Sequence, residues 1–431
     1  MPVFLHHDAP DFEERFHDLL AAKREVSEDV DAAVAQIIAD VRARGIEAVI
    51  ELTRKYDRWE MTEASTSFSP AEIDAAIASV DPKERAALEL AAERIRAYHQ
   101  RQLPQDAMWE DEAGVTLGWR WSAVDAAGLY VPGGLASYPS SVLMNAIPAA
   151  VAGVRDLAMT VPTPDGEVNP LVLLAARLAG IETIYRAGGA QAVAALAYGA
   201  GPIRPVDKIT GPGNAWVAAA KRRVFGQVGI DMIAGPSEIL VIADATQNPD
   251  WIATDLMSQA EHDASAQAIL ITDDTAFGEE VGRAVDRLLQ RLQRAEIAGT
   301  SWRQHGAIVI AQDLTQGAAL SDRIAPEHLE LCVADPLALS AQIRHAGAIF
   351  LGAHTPEAIG DYVGGPNHVL PTARSARFSS GLSVLDFMKR TTLAQVTPKG
   401  MAAIGPAAET LAQSESLEAH GLSVRARLDA L

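Results

Sequence analysis

The sequence predicts an α/β fold: two domains with mostly parallel sheets, a helical N-terminal arm and an extended C-terminal tail. Three observations carry that prediction. At 431 residues the chain is too long for one ordinary core. From about residue 127 to 352, short apolar runs of strand character alternate with longer amphipathic stretches, the rhythm of βαβ units. Glycine-rich turns at Gly188-Gly189 and at Gly211-Pro212-Gly213 follow strands and open helices, where open α/β sheets place ligands.

Residues 1–26 read as an arm with a short helix over 12–20, and His6 and His7 as exposed side chains in its loose leading part. Ser27 caps a helix with acids at Glu28, Asp29 and Asp31, an apolar stripe of Val30, Val34, Ile37, Ile38 and Val41, and Gly45 as its stop. Ser69-Pro70-Ala71-Glu72 has the capping-box spacing, with proline at the first helical position, and leads into a long helical region ending near Pro104. Val115, Leu117, Trp119 and Trp121 then alternate onto one face, which marks a strand. Further strands are expected over 127–131, 157–161, 183–186, 208–210, 238–243, 268–272, 307–311 and 348–351, with helices over 142–154 and 171–178. A turn-rich loop, Pro132 to Pro139, follows the first of these. Beyond residue 380 the rhythm fades into a strand over 393–396, a helix from about Met401 and a polar joint before Ala419-His420-Gly421.

Composition narrows the partners. The formal charge of −20 repels phosphate backbones and argues against nucleic acid. The single cysteine, Cys332, excludes an internal disulfide and any multi-cysteine metal site, which suits a reducing, cytoplasmic compartment. It lies in EHLELCVAD, where Leu329, Leu331 and Val333 share a strand face, so a packed thiol is favoured over a nucleophile. The first residues, MPVFLHHDAPDFEERF, are too acidic for a signal peptide, and no apolar run approaches the roughly 18 residues of a membrane span.

Candidate chemistry begins in the stretch Trp251 to Asp263. Asn248-Pro249-Asp250 starts a helix with Ile252, Leu256 and Ala260 as its apolar stripe, and Gln259 and His262 stand three apart on one face, able to reach one ion. Alone, such a pair is also the pattern of ordinary solvated side chains. Three further stretches add acids and bases: Glu327-His328, whose side chains should diverge at a strand entry and serve two different protons; Asp361 and His368 in a glycine-rich loop; and Glu415 five residues before His420. Together these offer oxygen and nitrogen ligands for zinc. The two glycine turns fit either a nucleotide site or plain turns, since Trp216 stands where the third glycine of a dinucleotide fingerprint would fall.

The segments SQAEHD, APEHLEL, GDYVGGPNHVLPT, RFSSGLSVLDFMKR and ESLEAH, with YVPGG, AGGAQA, TGPGN and AGPSE in the same order, resemble the histidinol dehydrogenases, which catalyse the last two steps of histidine biosynthesis. The resemblance implies two Rossmann-like domains: 27–129 plus 239–381, carrying the zinc and acid–base residues, and 130–238, carrying the cofactor contacts. It implies an arm over 1–26 and a tail over 382–431 that completes the partner subunit's site in a homodimer. Gln259, His262, Asp361 and His420 match the family's zinc ligands, one ion per subunit. Ser237, His368 and Glu415 match substrate contacts, as do His328 and the four ligands. Glu327 and His328 match its acid–base pair, and Tyr130, Gln191 and Asn214 its NAD contacts. The implied reaction is the NAD-linked, four-electron oxidation of L-histidinol to L-histidine through histidinaldehyde, with His328 as base in both oxidations and Glu327 taking the proton of the attacking water.

Two other readings use the same residues. A related zinc- and NAD-dependent enzyme would oxidise a different small alcohol such as a sulfonated propanediol, but Glu415 and His368 speak for histidinol, since a carboxylate suits an amine and would repel a sulfonate. A zinc hydrolase would have no need of the glycine turns.

Overall fold

The computed structural model describes residues 2–21, 28–133, 138–233 and 235–431. Its strands are β1 (Val3–His6), β2 (Ala107–Glu110), β3 (Val115–Ala123), β4 (Ala126–Tyr130), β5 (Asp156–Thr160), β6 (Thr183–Tyr185) and β7 (Lys208–Thr210). They continue as β8 (Gly229–Ile230), β9 (Glu238–Ala243), β10 (Gln267–Thr272), β11 (Ala307–Ile310), β12 (His328–Cys332), β13 (Ala348–Leu351) and β14 (Met388–Val396). A six-stranded sheet has the order β1-β11-β10-β9-β12-β13, and a five-stranded sheet the order β6-β5-β4-β7-β8. Both are parallel throughout.

The composition of the central strands explains why both sheets are buried on two faces. EILVIA in β9 and QAILIT in β10 are buried along their whole length, as parallel strands between helical layers must be. Val241, Leu270 and Ile308 face one helical layer of the six-stranded sheet, while Leu240, Ile242 and Val309 face the other. In the five-stranded sheet Leu129 and Met159 point to one layer and Tyr130 and Ala158 to the other.

Several expectations change at this level. The segment 27–129 does not accompany 239–381. Helices Glu28–Arg44 and Ile46–Asp57 bury Val34, Val41 and Val49 with Val193 and Val217, and helices Pro70–Ala78 and Pro82–Gln100 bury Ile73 and Ile95 with Leu129 and Val142. All four therefore cover the five-stranded sheet, whose strands run from Ala126 to Ile230 instead of lying within 130–238. An apolar stripe tells that a helix buries one face, not which sheet receives it. The long helical region expected to end near Pro104 consists of two helices, Pro70–Ala78 and Pro82–Gln100, the second capped by Asp81 through the Lys83 amide at 2.8 Å.

The N-terminal arm is likewise built into the molecule. β1 pairs with β11, Phe12 and Phe16 of helix Phe12–Ala21 are buried against the six-stranded sheet, and His6 Nε2 lies 3.1 Å from Thr275 Oγ1. Four residues of strand are too few for alternation to reveal.

The third sheet, β14-β3-β2, is antiparallel. β14 pairs with β3 over its nine residues, longer than the expected 393–396, and leads into a hairpin of helices Pro398–Ser414 and Glu418–Leu428. Among the described residues, no helix is long and apolar enough to cross a membrane.

Candidate active site

A cavity of about 370 Å³ lies between the two parallel sheets and takes side chains from both. On the six-stranded side, the groups come from the amino-terminal edge. Glu327 and His328 stand at the start of β12, beside the start of β9. Glu327 Oε2 accepts from the Glu238 amide at 2.9 Å, and His328 Nδ1 meets the Glu238 carbonyl at 3.0 Å. The pair does not diverge as expected: both side chains return to one residue of the neighbouring strand and line the same cavity.

The closer of the two contacts at Nδ1, to the Glu238 carbonyl, favours one tautomer of His328 over the other, which the more distant Gln259 amide would suit. A carbonyl only accepts, so in the favoured tautomer the ring proton sits on Nδ1 and Nε2 keeps its lone pair. Nε2 has no hydrogen-bond partner and lies 3.8 Å from Asp361 Oδ1. Burial holds the imidazole below its ordinary pKa, against the opposing pull of the Asp361 charge, so the neutral ring is favoured. Beneath it is Glu357, buried, with Oε1 3.3 Å from Nδ1; burial, followed by the charges of Asp361, Glu330 and Glu327, pushes this carboxyl well up.

Asp361 belongs to the short helix Glu357–Tyr362, which approaches β13 closely because Gly360 has no side chain: a Cβ there would meet the Phe350 ring at 2.3 Å. His368 follows in the loop, its Nδ1 donating to the Asp361 carbonyl at 3.0 Å and its Nε2 3.4 Å from Ser141 Oγ. Burial lowers the pKa of this imidazole too. Asn367 anchors the loop by donating to the Met144 carbonyl at 2.6 Å.

Helix Pro249–Ala260 ends at the cavity, so Gln259 stands in its last turn and His262 lies beyond it, in a turn closed by its amide donating to the Gln259 carbonyl at 3.1 Å. The expected spacing survives although the helix is shorter. Gln259 is fully buried, its Nε2 is 3.3 Å from His328 Nδ1, and its Oε1 has no partner. A buried amide oxygen without a donor, beside a carboxylate and an imidazole, is a donor set that suits a divalent cation. Gln259, His262, Asp361, His368, Ser237, Glu327 and His328 all line the cavity. Glu415 and His420 do not: they sit exposed on the C-terminal helical hairpin.

On the five-stranded side the carboxyl ends of strands face the cavity; of the three expected cofactor contacts Asn214 lines it, whereas Tyr130 and Gln191 are buried beside it and do not. Tyr130 closes β4, and its hydroxyl accepts from the Gly189 amide at 3.1 Å at the start of helix Gly189–Tyr198, which carries the buried Gln191 in its first turn. Asn214 lines the cavity and caps helix Ala215–Val224, its Oδ1 accepting from the Trp216 amide at 3.0 Å and the Val217 amide at 3.2 Å. Two helix N-termini thus converge on this edge, an arrangement that favours anionic phosphate.

Cys332 is buried below the site and absent from the cavity lining; burial, with the charges of Glu330 and Asp255, pushes its thiol up, which fits the packed thiol expected. Glu357, Glu238, Lys221 and Asp231 were not picked out from the sequence. Only Lys221 carried a signal, as a charge on the apolar face of AWVAAAKRRV.

Comparison with known proteins shows which family the chain resembles over its length and in its fold. A family model described as histidinol dehydrogenase matches residues 20–428. The chain is 72% identical over 431 residues to a histidinol dehydrogenase from Ruegeria pomeroyi, covering all of both chains, and 72% identical to one from Cereibacter sphaeroides, covering all of this chain and 99% of that one. A crystal structure of histidinol dehydrogenase from Elizabethkingia anophelis superposes with a TM-score of 0.95 at 37% identity, covering 100% of this chain and 98% of that one.

Proposed function

The chain belongs to the histidinol dehydrogenase family, and from that premise we propose that it oxidises L-histidinol to L-histidine, using zinc and NAD, at the cavity between its two sheets. The observation that carries the reading is the unpartnered Nε2 of His328, aimed into a cavity that also receives Gln259, His262 and Asp361. Identity of 72% over the full chain favours histidinol over a sulfonated alcohol or a hydrolysable ester.

Zinc would be held by Gln259, His262 and Asp361 of one subunit and by His420 of a second copy of the chain; when bound, it supplies an electropositive anchor for the amine and imidazole of the substrate. NAD would lie against Tyr130, Gln191 and Asn214 and supplies the hydride acceptor for each oxidation.

The chain's own residues handle the protons. His328 Nε2 takes the hydroxyl proton as the alcohol loses hydride, giving histidinaldehyde. Glu327, fixed by the Glu238 amide, takes a proton from the water that attacks the aldehyde. His328 serves again as the hydrate loses its hydride. Ser237 and His368 border the space where the substrate sits, and Glu415 of the second copy meets its amine. The position of Glu415 and His420 on the exposed hairpin, away from their own cavity, supports a homodimer whose tails complete each other's sites. The single buried thiol suits the cytoplasm.

The test is direct. Purified protein with histidinol and NAD should form about two NADH per histidinol consumed, with the zinc content measured in parallel. No NADH with histidinol, or NADH formation only with a sulfonated diol, would overturn the reading.

A further inference from the structure

We propose that Lys221 and Asp231 are positioning residues for the nicotinamide cofactor: a buried clamp that holds the turn Gly211–Asn214 against the end of β4 and so fixes Asn214 at the edge of the cavity. The inference rests on the cofactor reading given above and deepens it.

Lysine is a surface residue by habit, yet Lys221 is 3% exposed. The helix Ala215–Val224 requires this, because Val217 and Val224 stand four before and three after it on the buried face. Its ammonium pairs with Asp231 Oδ1 and donates to the Gly211 carbonyl at 3.0 Å. Asp231 comes directly after β8, where its amide donates to the Ile209 carbonyl at 3.2 Å, and its Oδ2 accepts from the Gly211 amide at 2.8 Å. One ion pair therefore grips both main-chain polar groups of one glycine.

That glycine has no freedom on its other side. Gly211 has φ +121°, and a Cβ there would stand 2.0 Å from the Tyr130 carbonyl oxygen. The turn is thus pressed against the end of β4 and latched from behind by Lys221 and Asp231, with Asn214 three residues further along.

A buried ion pair is a poor stabilising device, since the loss of hydration offsets the attraction, so its presence here calls for a geometric reason. Both charges line the cavity and cancel. A cofactor with a cationic ring and an anionic diphosphate then meets a fixed turn and no net charge from the clamp. A turn without the clamp must be ordered at the moment of binding, which costs affinity. Glu327, His328 and Asp361 hang from the other sheet and should not respond.

The experiment starts with NADH titration of the wild-type holoenzyme, followed by fluorescence, and then takes D231N, K221M and K221R. D231N and K221M should raise KM for NAD and Kd for NADH at least tenfold, while KM for histidinol and zinc content stay within twofold; K221R should recover most of the loss. A wild-type protein that binds no NADH overturns the cofactor reading and the clamp with it. NADH binding by wild type that is matched by both variants overturns the clamp alone. Variants in which KM rises equally for both substrates, or which fail to fold, assign the pair to stability and also overturn it.

Discussion

The two parallel sheets meet the cavity with opposite edges. The five-stranded sheet offers the carboxyl ends of β4 and β7, where helices Gly189–Tyr198 and Ala215–Val224 begin. The six-stranded sheet offers the amino ends of β9 and β12, where the preceding chain has just left helix Leu314–Ile324 and helix Pro249–Ala260 also ends. Helix starts carry partial positive charge and helix ends partial negative charge. The same kind of layer therefore builds an edge suited to phosphate on one side and an edge suited to a divalent cation on the other. The rule that ligands sit at carboxyl ends describes only the first.

This contrast can be broken at several points. Deleting residues 401–431 should have the largest effect: zinc retention and turnover should fall to background, while NADH binding, which we propose uses the other edge, should persist. A shortened protein that keeps its metal would sink the shared site. Next, H328N should lower kcat by about 10²–10⁴-fold, the usual reach of a general base, with zinc content and NADH affinity unchanged. Loss of NADH affinity in that variant would show that the two edges are not separable.

Smaller effects should follow on the phosphate-facing edge. Alanine at position 211 places a side chain in a left-handed conformation, which costs about 1–3 kcal/mol, and against the Tyr130 carbonyl. G211A should lower the melting temperature by several degrees and raise KM for NAD, leaving KM for histidinol in place. An unaltered KM for NAD would show that this turn does not touch the cofactor.

Acids on the two sides should answer pH with opposite signs. Glu72 caps its helix through Ser69 and pairs with Arg186, which together pull its pKa down from 4.5 to about 2. Its contribution is present above pH 4.5 and is lost as pH falls towards 2, so E72Q should melt a little lower than wild type at pH 7 and equally at pH 2. Asp255 is half-buried, and loss of hydration, opposed by its hydrogen bond with Glu330, pushes it up from 3.8 to about 6. Its ionisation penalises the folded state as pH rises from 3.8 through 6, so D255N should match wild type below pH 3.8 and melt higher at pH 8. Thermal scans across that range decide both, and a D255N difference that shrinks with rising pH would reject the second.

Local chemistry made much of this legible. Val115, Leu117, Trp119 and Trp121 alternate into β3, and Ser69 and Glu72 form the capping box their spacing announces. Gln259, His262, Asp361 and His368 reach one cavity although more than 100 residues separate the first from the last. What stayed hidden was decided at long range. The helices between residues 28 and 100 could have covered either sheet, and β1 is too short to declare itself. Glu357 reads as an ordinary acid in the first turn of a helix, and its place under His328 depends on β12 and β13 being neighbours. The convergence of Glu327 and His328 on Glu238 depends equally on the register of β12 with β9.

The pairing of β1 with β11 bears on how the chain assembles as it leaves the ribosome. All five strands of the smaller parallel sheet, and the four helices that bury Val34, Val49, Ile73 and Ile95 against it, are complete by residue 230, so most of that unit can assemble while synthesis continues, with Val369, Leu382, Val384 and Phe387 joining its core later. Val3–His6, the first strand to emerge, must wait for its neighbour at Ala307. At roughly 5–20 residues per second that delay is about 15–60 s. A short leading strand flanked by His7 and Asp8 is well suited to wait without recruiting a neighbouring nascent chain.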